Sequence, residues 1–290
     1  MKKIGLFVNQ KQPHALEEVK HVASLAAGMG FSVYADTEIS KLSPTINVCD
    51  IKVFARLGVE CVVVLGGDGT MLEASHRLCG QNLPLMGLNM GSLGYLTSVE
   101  QHQFSEALQQ LREDLHQISF RAALSTRVIH KSGAVETLPD ALNDVVVNHG
   151  ASGRAIELEL SLNDFPLARF LSDGVIVATA TGSTAYSLSS GGPIMLPDAD
   201  TFVVNVICPH TLTFRPLVVK TTTRVSLRVI TCSAPLIVSS DGRDDVKLEI
   251  DDKVEVVRSE HDVPVIELSG YNACDVLCRK LRWGHTERKY

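Results

Sequence analysis

Short apolar runs alternate with amphipathic segments along the first hundred residues of the chain. Continuous apolar runs such as Lys3–Val8 and Cys61–Leu65 are typical of strands that are buried on both faces of a parallel sheet. Between them, the apolar residues of Ala15–Ala27 recur at helical spacing, and glycine follows this segment, as it often does at helix C-termini. Alternating strands and helices predict a parallel, Rossmann-like sheet with right-handed crossovers over residues 1–100.

The pattern changes after the helical segment Gln103–Leu115. Residues 155–162 place an apolar side chain at every second position, which predicts a half-buried strand, and several later segments alternate in the same way. Many short strands with almost no helix predict an all-β, sandwich-like C-terminal domain over residues 101–270. The last segment, 271–290, is predicted to form a helix that returns to the N-terminal α/β domain.

Composition and charge narrow the classes of function. The chain has 290 residues, of which 45% are hydrophobic and 21% charged, and these fractions are typical of globular proteins rather than disordered chains. A net charge of −6 disfavours nonspecific binding of nucleic acid and of anionic membranes. No apolar run approaches the roughly 20 residues of a membrane span, and the N-terminus does not resemble a signal peptide. We expect a cytoplasmic protein that binds neither nucleic acid nor membranes.

The cysteines agree with this expectation. There are seven, an odd number, without a CxxC pair, and several lie in apolar runs, so we interpret them as reduced core residues. Cys274 and Cys278 are one helical turn apart, which leaves a metal site open as an alternative, although no further His or Cys is placed near them in a ligand pattern.

A glycine-rich turn follows the most strongly apolar predicted strand. The run Cys61–Leu65 is followed by the sequence GGDGT at residues 66–70, and a helical pattern begins there. Three glycines within four positions let the backbone approach a ligand closely, and free N–H groups at a helix N-terminus bind phosphate. The carboxyl end of a parallel strand is also where open α/β sheets bind ligands. We therefore expect a phosphate-binding turn formed by Gly66, Gly67, Gly69 and Thr70.

Asp68 is unusual because a carboxylate in a phosphate-binding turn repels the ligand. One hypothesis is that Asp68 accepts the proton of a substrate hydroxyl while the glycines and a metal hold the phosphoryl donor. The alternative is that Asp68 caps the following helix, which is a common role of aspartate. The turn is neither a Walker A loop nor a GxGxxG motif, because the required lysine and glycine spacings are missing.

Other polar segments offer further candidates. Asn143 and Asp144 precede an apolar run and are suited either to ribose hydroxyls and a purine edge or to an ordinary turn. Residues 182–189 are predicted to form a helix with Ser183 or Thr184 as its N-cap, and Tyr186 is placed either against a base or in the core. Lys11 and Arg154 are basic residues that could offset phosphate charge, although solvated side chains are the alternative.

Together these segments closely resemble the NAD kinase family. The matching stretches appear in the family's order and cover most of residues 60–242. They are LGGDGTML (65–72), GLNMGSLGYLT (87–97), LNDVVVNHG (142–150), SDGVIVATATGSTAYSLSSGGPI (172–194), CPHTL (208–212) and SDG (240–242). The long central stretch is highly specific, whereas the GGDGT turn alone also occurs in diacylglycerol and sphingosine kinases.

The resemblance implies an enzyme that phosphorylates the adenosine ribose 2′-hydroxyl of NAD and so produces NADP. It implies ATP or polyphosphate as the donor, Mg²⁺ as the metal with unknown protein ligands, and a homodimer or homotetramer. Asp68 matches the family's proton acceptor. Asp144 stands where many relatives have Glu, and Arg243 where they often have Gln. The implied NAD contacts are Asp68, Gly69, Asn143, Asp144, Arg154, Leu171, Asp173, Thr184, Ala185, Tyr186, Ser187, Leu188, Ser189 and Arg243.

The sequence leaves two alternatives to an NAD kinase open. A lipid kinase would share the GGDGT turn, but it leaves the segment GSTAYSLSSGG without a role, and the sequence shows no basic amphipathic helix for a membrane surface. A nucleotide-sensing regulator without catalysis would share the binding segments, but such a site gains nothing from the carboxylate of Asp68 beside the phosphates.

Overall fold

The computed structural model describes residues 1–9, 13–91, 94–150, 155–232 and 236–281. Within these residues the strands are β1 Lys3–Val8, β2 Ser32–Ala35, β3 Ile46–Val48, β4 Cys61–Gly66, β5 Leu85–Asn89, β6 Val99–Glu100, β7 His116–Arg121, β8 Leu124–Ile129, β9 Val135–Ala141, β10 Asp144–Asn148, β11 Ile156–Leu162, β12 Phe165–Ser172, β13 Gly174–Ala178, β14 Thr201–Ile207, β15 Leu217–Lys220, β16 Val225–Thr231, β17 Leu236–Ser240, β18 Arg243–Leu248, β19 Lys253–Arg258 and β20 Val263–Leu268. The α-helices are α1 Pro13–Gly28, α2 Thr37–Ser40, α3 Asp68–Arg77, α4 Phe104–Arg112, α5 Tyr186–Ser189 and α6 Ala273–Leu281.

The chain forms two compact units, residues 1–120 with 263–290, and residues 121–262. We call them the parallel-sheet unit and the sandwich unit. The first contains an eight-stranded sheet in the order β3-β2-β1-β4-β5-β20-β7, with β6 beside β5. The second contains two six-stranded antiparallel sheets, ordered β15-β14-β13-β10-β17-β18 and β12-β11-β16-β19-β8-β9. The predicted fold class, an α/β domain and an all-β sandwich-like domain, is confirmed.

The core of the parallel-sheet unit explains its apolar strands. β1 and β4 pair in parallel along five residues, and Leu6 and Val63 on these strands are fully buried. One cluster joins these strands to α1 through Val19 and to α4 through Leu108. The order β3-β2-β1-β4-β5 reverses direction between β1 and β4, and this is the point at which doubly wound sheets bind ligands.

The sandwich unit buries the alternate side chains of its two sheets against each other. Leu158 of β11 and Val254 of β19 come from one sheet, and Val145 of β10 and Val175 of β13 from the other, and all four belong to one buried cluster. Strict alternation along residues 156–160, with every second residue buried, is the pattern from which this strand was predicted.

The boundaries differ from the prediction at both ends of the sandwich unit. Residues 101–120, expected in the second domain, belong to the parallel-sheet unit because α4 buries Phe104, Ala107, Leu108 and Leu111 in that unit's core. The chain returns to this unit at Val263, before the predicted helix, since β20 pairs in parallel with β5. The apolar run Val263–Leu268 was predicted to belong to the sandwich-like domain. It forms β20 in the sheet of the parallel-sheet unit instead. The predicted terminal helix is present as α6, and residues 282–290 lie outside the described residues.

Candidate functional site

The GGDGT turn, residues 66–70, links β4 to α3 at the carboxyl end of the sheet. β4 ends at Gly66, Gly67 is the N-cap residue with extended backbone, and α3 begins at Asp68. The turn follows one of the two strands at which the sheet order reverses, since β4 lies beside β1. The free N–H groups of the first turn of α3 therefore stand where an anionic ligand is stabilised by donors and by the helix dipole.

The three glycines of the turn have different reasons to lack a side chain. A Cβ on Gly66 would lie 2.2 Å from Oγ1 of Thr70, so packing within the turn requires glycine there. A Cβ on Gly67 or on Gly69 would meet no atom of the described residues within 4 Å. Packing among the described residues therefore does not require glycine at these two positions, and these residues leave open space in front of the first turn of α3.

Asp68 does not cap α3, so the capping alternative is wrong. The N-cap residue is Gly67, and no side chain caps this helix. The carboxylate of Asp68 instead accepts two backbone hydrogen bonds from the segment after β5. The N–H of Tyr95 donates to Oδ2 and the N–H of Leu96 to Oδ1, each at 2.9 Å. Because each oxygen accepts one bond, lone pairs remain for a substrate proton.

The segment that holds Asp68 also places an aromatic side chain beside it. Burial, and then the negative charge of Asp68, raise the pKa of the Tyr95 hydroxyl. That hydroxyl oxygen is buried and has no hydrogen-bond partner within the described residues. The ammonium group of Lys280 in α6 lies 5.4 Å from the centre of the Tyr95 ring, which is within the range of a cation–π contact.

In the sandwich unit, Asn143 and Asp144 stand at the start of a central strand. β10 begins at Asp144 and runs between β13 and β17, with Asp144 opposite Ala178. Asn143 itself lies in the bend that joins β9 to β10, so the turn alternative holds for Asn143 while Asp144 belongs to the strand. Their backbone is held by Asp241, whose Oδ1 accepts from the N–H of Asn143 at 2.8 Å and of Asp144 at 3.0 Å. Oδ2 of Asp241 accepts from the N–H of Leu142 at 2.8 Å.

Asp144 is a buried carboxyl group. Only 6% of the residue's surface is exposed. Burial raises its pKa to about 7, and the negative charge of Asp241 contributes to the rise. At neutral pH this side chain therefore exists in both protonation states and can either accept or donate a hydrogen bond.

The segment after β13 packs directly on Asn143. The backbone N–H of Thr179 donates to the carbonyl of Asn143 at 2.9 Å, and its hydroxyl donates to the carbonyl of Leu142 at 2.6 Å. A Cβ on Gly182 would lie 2.0 Å from the carbonyl oxygen of Asn143, which explains this glycine. The backbone of the pair is thus fixed from both neighbouring strands.

The predicted helix over residues 182–189 is divided into two short turns. Thr181–Thr184 is a 3₁₀ turn, and α5 begins at Tyr186. Neither predicted N-cap is correct, because the hydroxyls of Ser183 and Thr184 donate back to carbonyl oxygens one turn earlier. Ala185 is the N-cap residue of α5 and makes no side-chain cap.

Side chains of this segment are divided between the core and solvent. Tyr186 is 45% exposed, so it does not belong to the core. Ser187 is fully buried, and its hydroxyl has no partner within the described residues. Ser189 is exposed, while Thr184, Ala185 and Leu188 are half-buried.

The remaining candidates lie at strand ends of the sandwich unit. Leu171, near the end of β12, is 44% exposed. Asp173 follows β12 and accepts a hydrogen bond from the thiol of Cys208, and this bond together with burial raises the pKa of that thiol. Arg243 begins β18 opposite Ser240. Arg154 and Lys11 lie outside the described residues.

Two residues with direct contacts to the candidates, Asp241 and Gly94, were not assigned a role from the sequence. Both lie in stretches that carry the family resemblance, SDG and GYLT. Their contacts are to backbone N–H groups or to a side chain distant in sequence, so no spacing pattern reveals them. The Asp-Gly pair signals only a hairpin turn.

Neither a metal cluster nor a membrane helix is present in the described part of the chain. No group of three or more His, Cys, Asp or Glu side chains there is arranged to hold a metal ion, so the Cys274–Cys278 alternative gains no support. Likewise, none of the described helices has the length and apolarity needed to cross a membrane.

Comparison with known proteins gives the same family over both units. The model of the ATP-NAD kinase N-terminal domain matches residues 4–116, and that of the ATP-NAD kinase C-terminal domain matches residues 142–268. The NAD kinase of Syntrophotalea carbinolica is 34% identical over 289 residues, which is 98% of this chain and 99% of the relative. That of Trichlorobacter lovleyi is 38% identical over 226 residues, 78% of this chain and 79% of the relative.

Two solved structures share the fold. The yeast NADH kinase, solved with NADH, has a TM-score of 0.90 at 20% identity and covers 100% of this chain and 90% of its own. An NAD kinase from Archaeoglobus fulgidus, solved with ATP, has a TM-score of 0.75 at 22% identity and covers 97% of this chain and 98% of its own. The resemblance drawn from the sequence motifs is therefore confirmed.

Proposed function

The chain belongs to the NAD kinase family, and from this premise we propose how its residues transfer a phosphoryl group from ATP to the 2′-hydroxyl of the adenosine ribose of NAD, producing NADP. It is a kinase, a phosphotransferase with an alcohol group as acceptor. The lipid-kinase alternative is not supported, because both matching family models are those of ATP-NAD kinases.

The observation that carries the mechanism is the position of Asp68 in a turn that leaves space for phosphate. Its carboxylate is oriented by the N–H groups of Tyr95 and Leu96, and lone pairs remain to accept the proton of the ribose hydroxyl. Phosphoryl transfer passes through a loose transition state, so the hydroxyl proton leaves late and a well-placed carboxylate is sufficient as the base. We assign Asp68 as the catalytic proton acceptor.

The phosphoryl donor is assigned to the open space in front of α3. A Cβ on Gly67 or Gly69 would have no close neighbour among the residues that the structure describes, so a phosphate can approach the N–H groups of the first helical turn. Gly66 and Thr70 give the turn its shape through their close contact. These donors are fixed before the substrate arrives, which is the property that stabilises charge in the transition state.

Recognition of NAD is assigned mainly to residues of the sandwich unit. The amide of Asn143 and the carboxyl of Asp144 offer donors and acceptors for the adenosine, and the exposed ring of Tyr186 can stack on a base. The shorter side chain of Asp144, relative to Glu in many relatives, changes the reach by one methylene. The further assigned contacts are Gly69, Arg154, Leu171, Asp173, Thr184, Ala185, Ser187, Leu188, Ser189 and Arg243.

The proposed reaction uses Mg²⁺ together with the phosphoryl donor. Since the described residues form no cluster of three metal-ligating side chains, a Mg²⁺ ion would be held chiefly by phosphate oxygens of the donor that the GGDGT turn binds. Mg²⁺ would neutralise charge on the transferred phosphoryl group. Use of polyphosphate in place of ATP is part of the same proposal, because the turn recognises phosphate through backbone N–H groups.

A homodimer or homotetramer in the cytoplasm completes the proposal. Phe165 and Leu167 on the edge strand β12 are 78% and 54% exposed, and such apolar side chains are common at subunit contacts. The described cysteines are all free thiols, as in a reducing compartment.

The decisive test is incubation of the purified protein with NAD, ATP and Mg²⁺, followed by an enzymatic assay for NADP. We expect NADP from the wild type and, from Asp68→Asn, a turnover lower by about 10²–10⁴ with NAD affinity near that of the wild type. Asp114→Asn, an exposed aspartate of the same unit, is the matched control and should retain activity. Absence of NADP from the wild type would overturn the function, and unchanged turnover of Asp68→Asn would overturn the role of Asp68.

A further inference from the structure

The carboxylate of Asp241 accepts hydrogen bonds from the backbone of Asn143 and Asp144, and the hairpin turn that contains Asp241 does not need these bonds. The hairpin between β17 and β18 has Asp241 and Gly242 as its two central residues, both with positive φ, as in type I′ turns. Asparagine suits the first position of such a turn as well as aspartate does. Turn formation therefore gives no reason for a negative charge at this position.

The carboxylate of Asp241 binds the backbone at the start of β10. Three successive backbone N–H groups, those of residues 142–144, converge on its two oxygens at 2.8–3.0 Å. Successive N–H groups that point to one place form an anion-binding concavity, and here a carboxylate of the same chain occupies it. The N–H of Asp241 in turn donates to the carbonyl of Asp144 at 2.9 Å. The hairpin tip and the start of β10 thus hold each other.

From this geometry we propose that Asp241 is a positioning residue for NAD, which fixes the backbone of Asn143 and Asp144 and whose charge adds to the effect of burial in favouring the protonated Asp144 carboxyl. The inference rests on the proposed function, since it assigns that pair to the adenosine part of NAD. Asp241 acts through its neighbours and needs no contact with the dinucleotide.

The effect on protonation follows from burial and charge together. Asp144 is 6% exposed and has a pKa of about 7, raised by burial and then by Asp241. Among the side chains that the structure describes in this unit, Asp241 is the charge that acts on Asp144, since β13 on the other side of β10 places Ala178 opposite it. Removing the charge of Asp241 lowers the pKa of Asp144. The ionised carboxylate of Asp144 can accept hydrogen bonds from both hydroxyls of a ribose, whereas the protonated form has lost part of this capacity. We therefore expect the affinity for NAD to rise as the pH increases through about 7.

The test compares NAD affinity and kinetics from pH 5.5 to 8.5 in the wild type, Asp241→Asn, Asp241→Glu and Asp164→Asn, with about one pH unit between points. Asp241→Asn keeps the turn but loses the charge and at least one acceptor. We expect the KM for NAD to rise about 10- to 100-fold, from lost charge-assisted hydrogen bonds and a displaced pair, with the KM for ATP within about twofold. The midpoint of the pH dependence should move to lower pH.

The two other variants separate charge from geometry. Asp241→Glu keeps the charge on a longer side chain, so we expect weaker NAD binding with the midpoint near that of the wild type. Asp164→Asn is the matched control, because Asp164 also has positive φ in a hairpin of the sandwich unit and is exposed. It should leave both the KM and the midpoint unchanged.

Each result of these measurements either supports or overturns the positioning role of Asp241. If Asp241→Asn binds NAD as the wild type does, with the same midpoint, Asp241 is only a turn residue and the inference is wrong. If that variant does not fold, as judged by its thermal transition, Asp241→Glu decides, and wild-type affinity in it overturns the inference. A wild type that makes no NADP overturns the proposed function and this inference together, whereas an active wild type with unaffected variants overturns the inference alone.

Discussion

Gly94 and Asp68 are in such close contact that a Cβ on Gly94 would lie 2.0 Å from Oδ1 of Asp68. The same Cβ would lie 2.4 Å from Oγ1 of Thr97. The glycine therefore lets the segment after β5 approach the carboxylate closely enough for the N–H groups of Tyr95 and Leu96 to bond to it. Gly94 matters through the orientation of the proposed catalytic base.

Gly94→Ala should therefore impair catalysis more than folding. The added methyl group must displace either the carboxylate or the loop, and a misplacement of about 1 Å costs on the order of 10²-fold in turnover. Overpacking should also lower the free energy of unfolding by about 1–3 kcal/mol. Gly91→Ala is the matched control from the same loop, because a Cβ there meets no atom within 4 Å in the part of the chain that the structure describes. Steady-state kinetics and urea unfolding of both variants check this, and equal activity of the two variants would contradict it.

The glycines of the GGDGT turn should divide into structural and functional ones. Gly69 is in the first turn of α3, where alanine is favoured over glycine by about 1 kcal/mol, and a Cβ there would meet no described atom within 4 Å. We expect Gly69→Ala to stabilise the protein by roughly 0.5–1 kcal/mol and to lower kcat/KM for ATP at least about tenfold, because the methyl group occupies the phosphate space.

Gly66→Ala provides the opposite case. Its Cβ would overlap Thr70, so we expect a loss of about 1–3 kcal/mol in the free energy of unfolding. Thermal unfolding and ATP-dependent kinetics, measured on both variants, separate the two effects. Full activity in a stabilised Gly69→Ala would show that the space in front of α3 does not hold the donor.

The sequence predicted those features that repeat along the chain. Apolar runs and strict alternation predict the strands of the two units because burial on two faces or on one face produces these patterns directly. The segment Val263–Leu268 was misplaced, since an apolar run carries no information about the sheet that it joins. The two short turns at residues 181–189 were predicted as one helix because the hydroxyl groups there bond to carbonyl oxygens instead of capping N–H groups.

The candidate site was predictable only where it is local in sequence. The GGDGT turn is contiguous, so its glycines and Asp68 stand out. The bonds from Tyr95 and Leu96 to Asp68, and those from residues 142–144 to Asp241, join positions 27 to 99 residues apart. Backbone N–H groups are present at nearly every residue, so the sequence does not mark which of them a carboxylate accepts.

Asn143→Ala should weaken NAD binding more than it slows the chemical step. Its side-chain amide is assigned to the adenosine, while its backbone is held independently by Asp241 and Thr179, so the variant should keep the local fold. Loss of one or two hydrogen bonds predicts a KM for NAD about 10-fold higher, with kcat within about threefold. Asn47→Ala, in β3 of the other unit, is the matched control. A defect confined to kcat would contradict the assignment.

Asp144→Asn should change how stability depends on pH. The pKa of Asp144 is about 7 in the folded protein, against about 3.9 in an unfolded chain. Between these values the folded state retains a proton that the unfolded state has lost, so this group's contribution to stability decreases as pH rises from about 4 to 7 and is constant above that. The asparagine variant lacks this pH-dependent contribution, and we expect it to gain stability relative to the wild type across that range, by about 4 kcal/mol in all once the pH reaches 8.

Urea unfolding of both proteins at pH 5, 6, 7 and 8 measures the difference, in which the other titrating groups cancel. Asp252 provides the contrast, since it is only 2% exposed but has a lowered pKa. Burial alone would raise that pKa, but the N–H groups of Glu249 and Lys131 and the ring of His130 outweigh it. Asp252→Asn should therefore destabilise the protein throughout this pH range. A constant difference between Asp144→Asn and the wild type from pH 5 to 8 would show that Asp144 is already ionised at the lower limit.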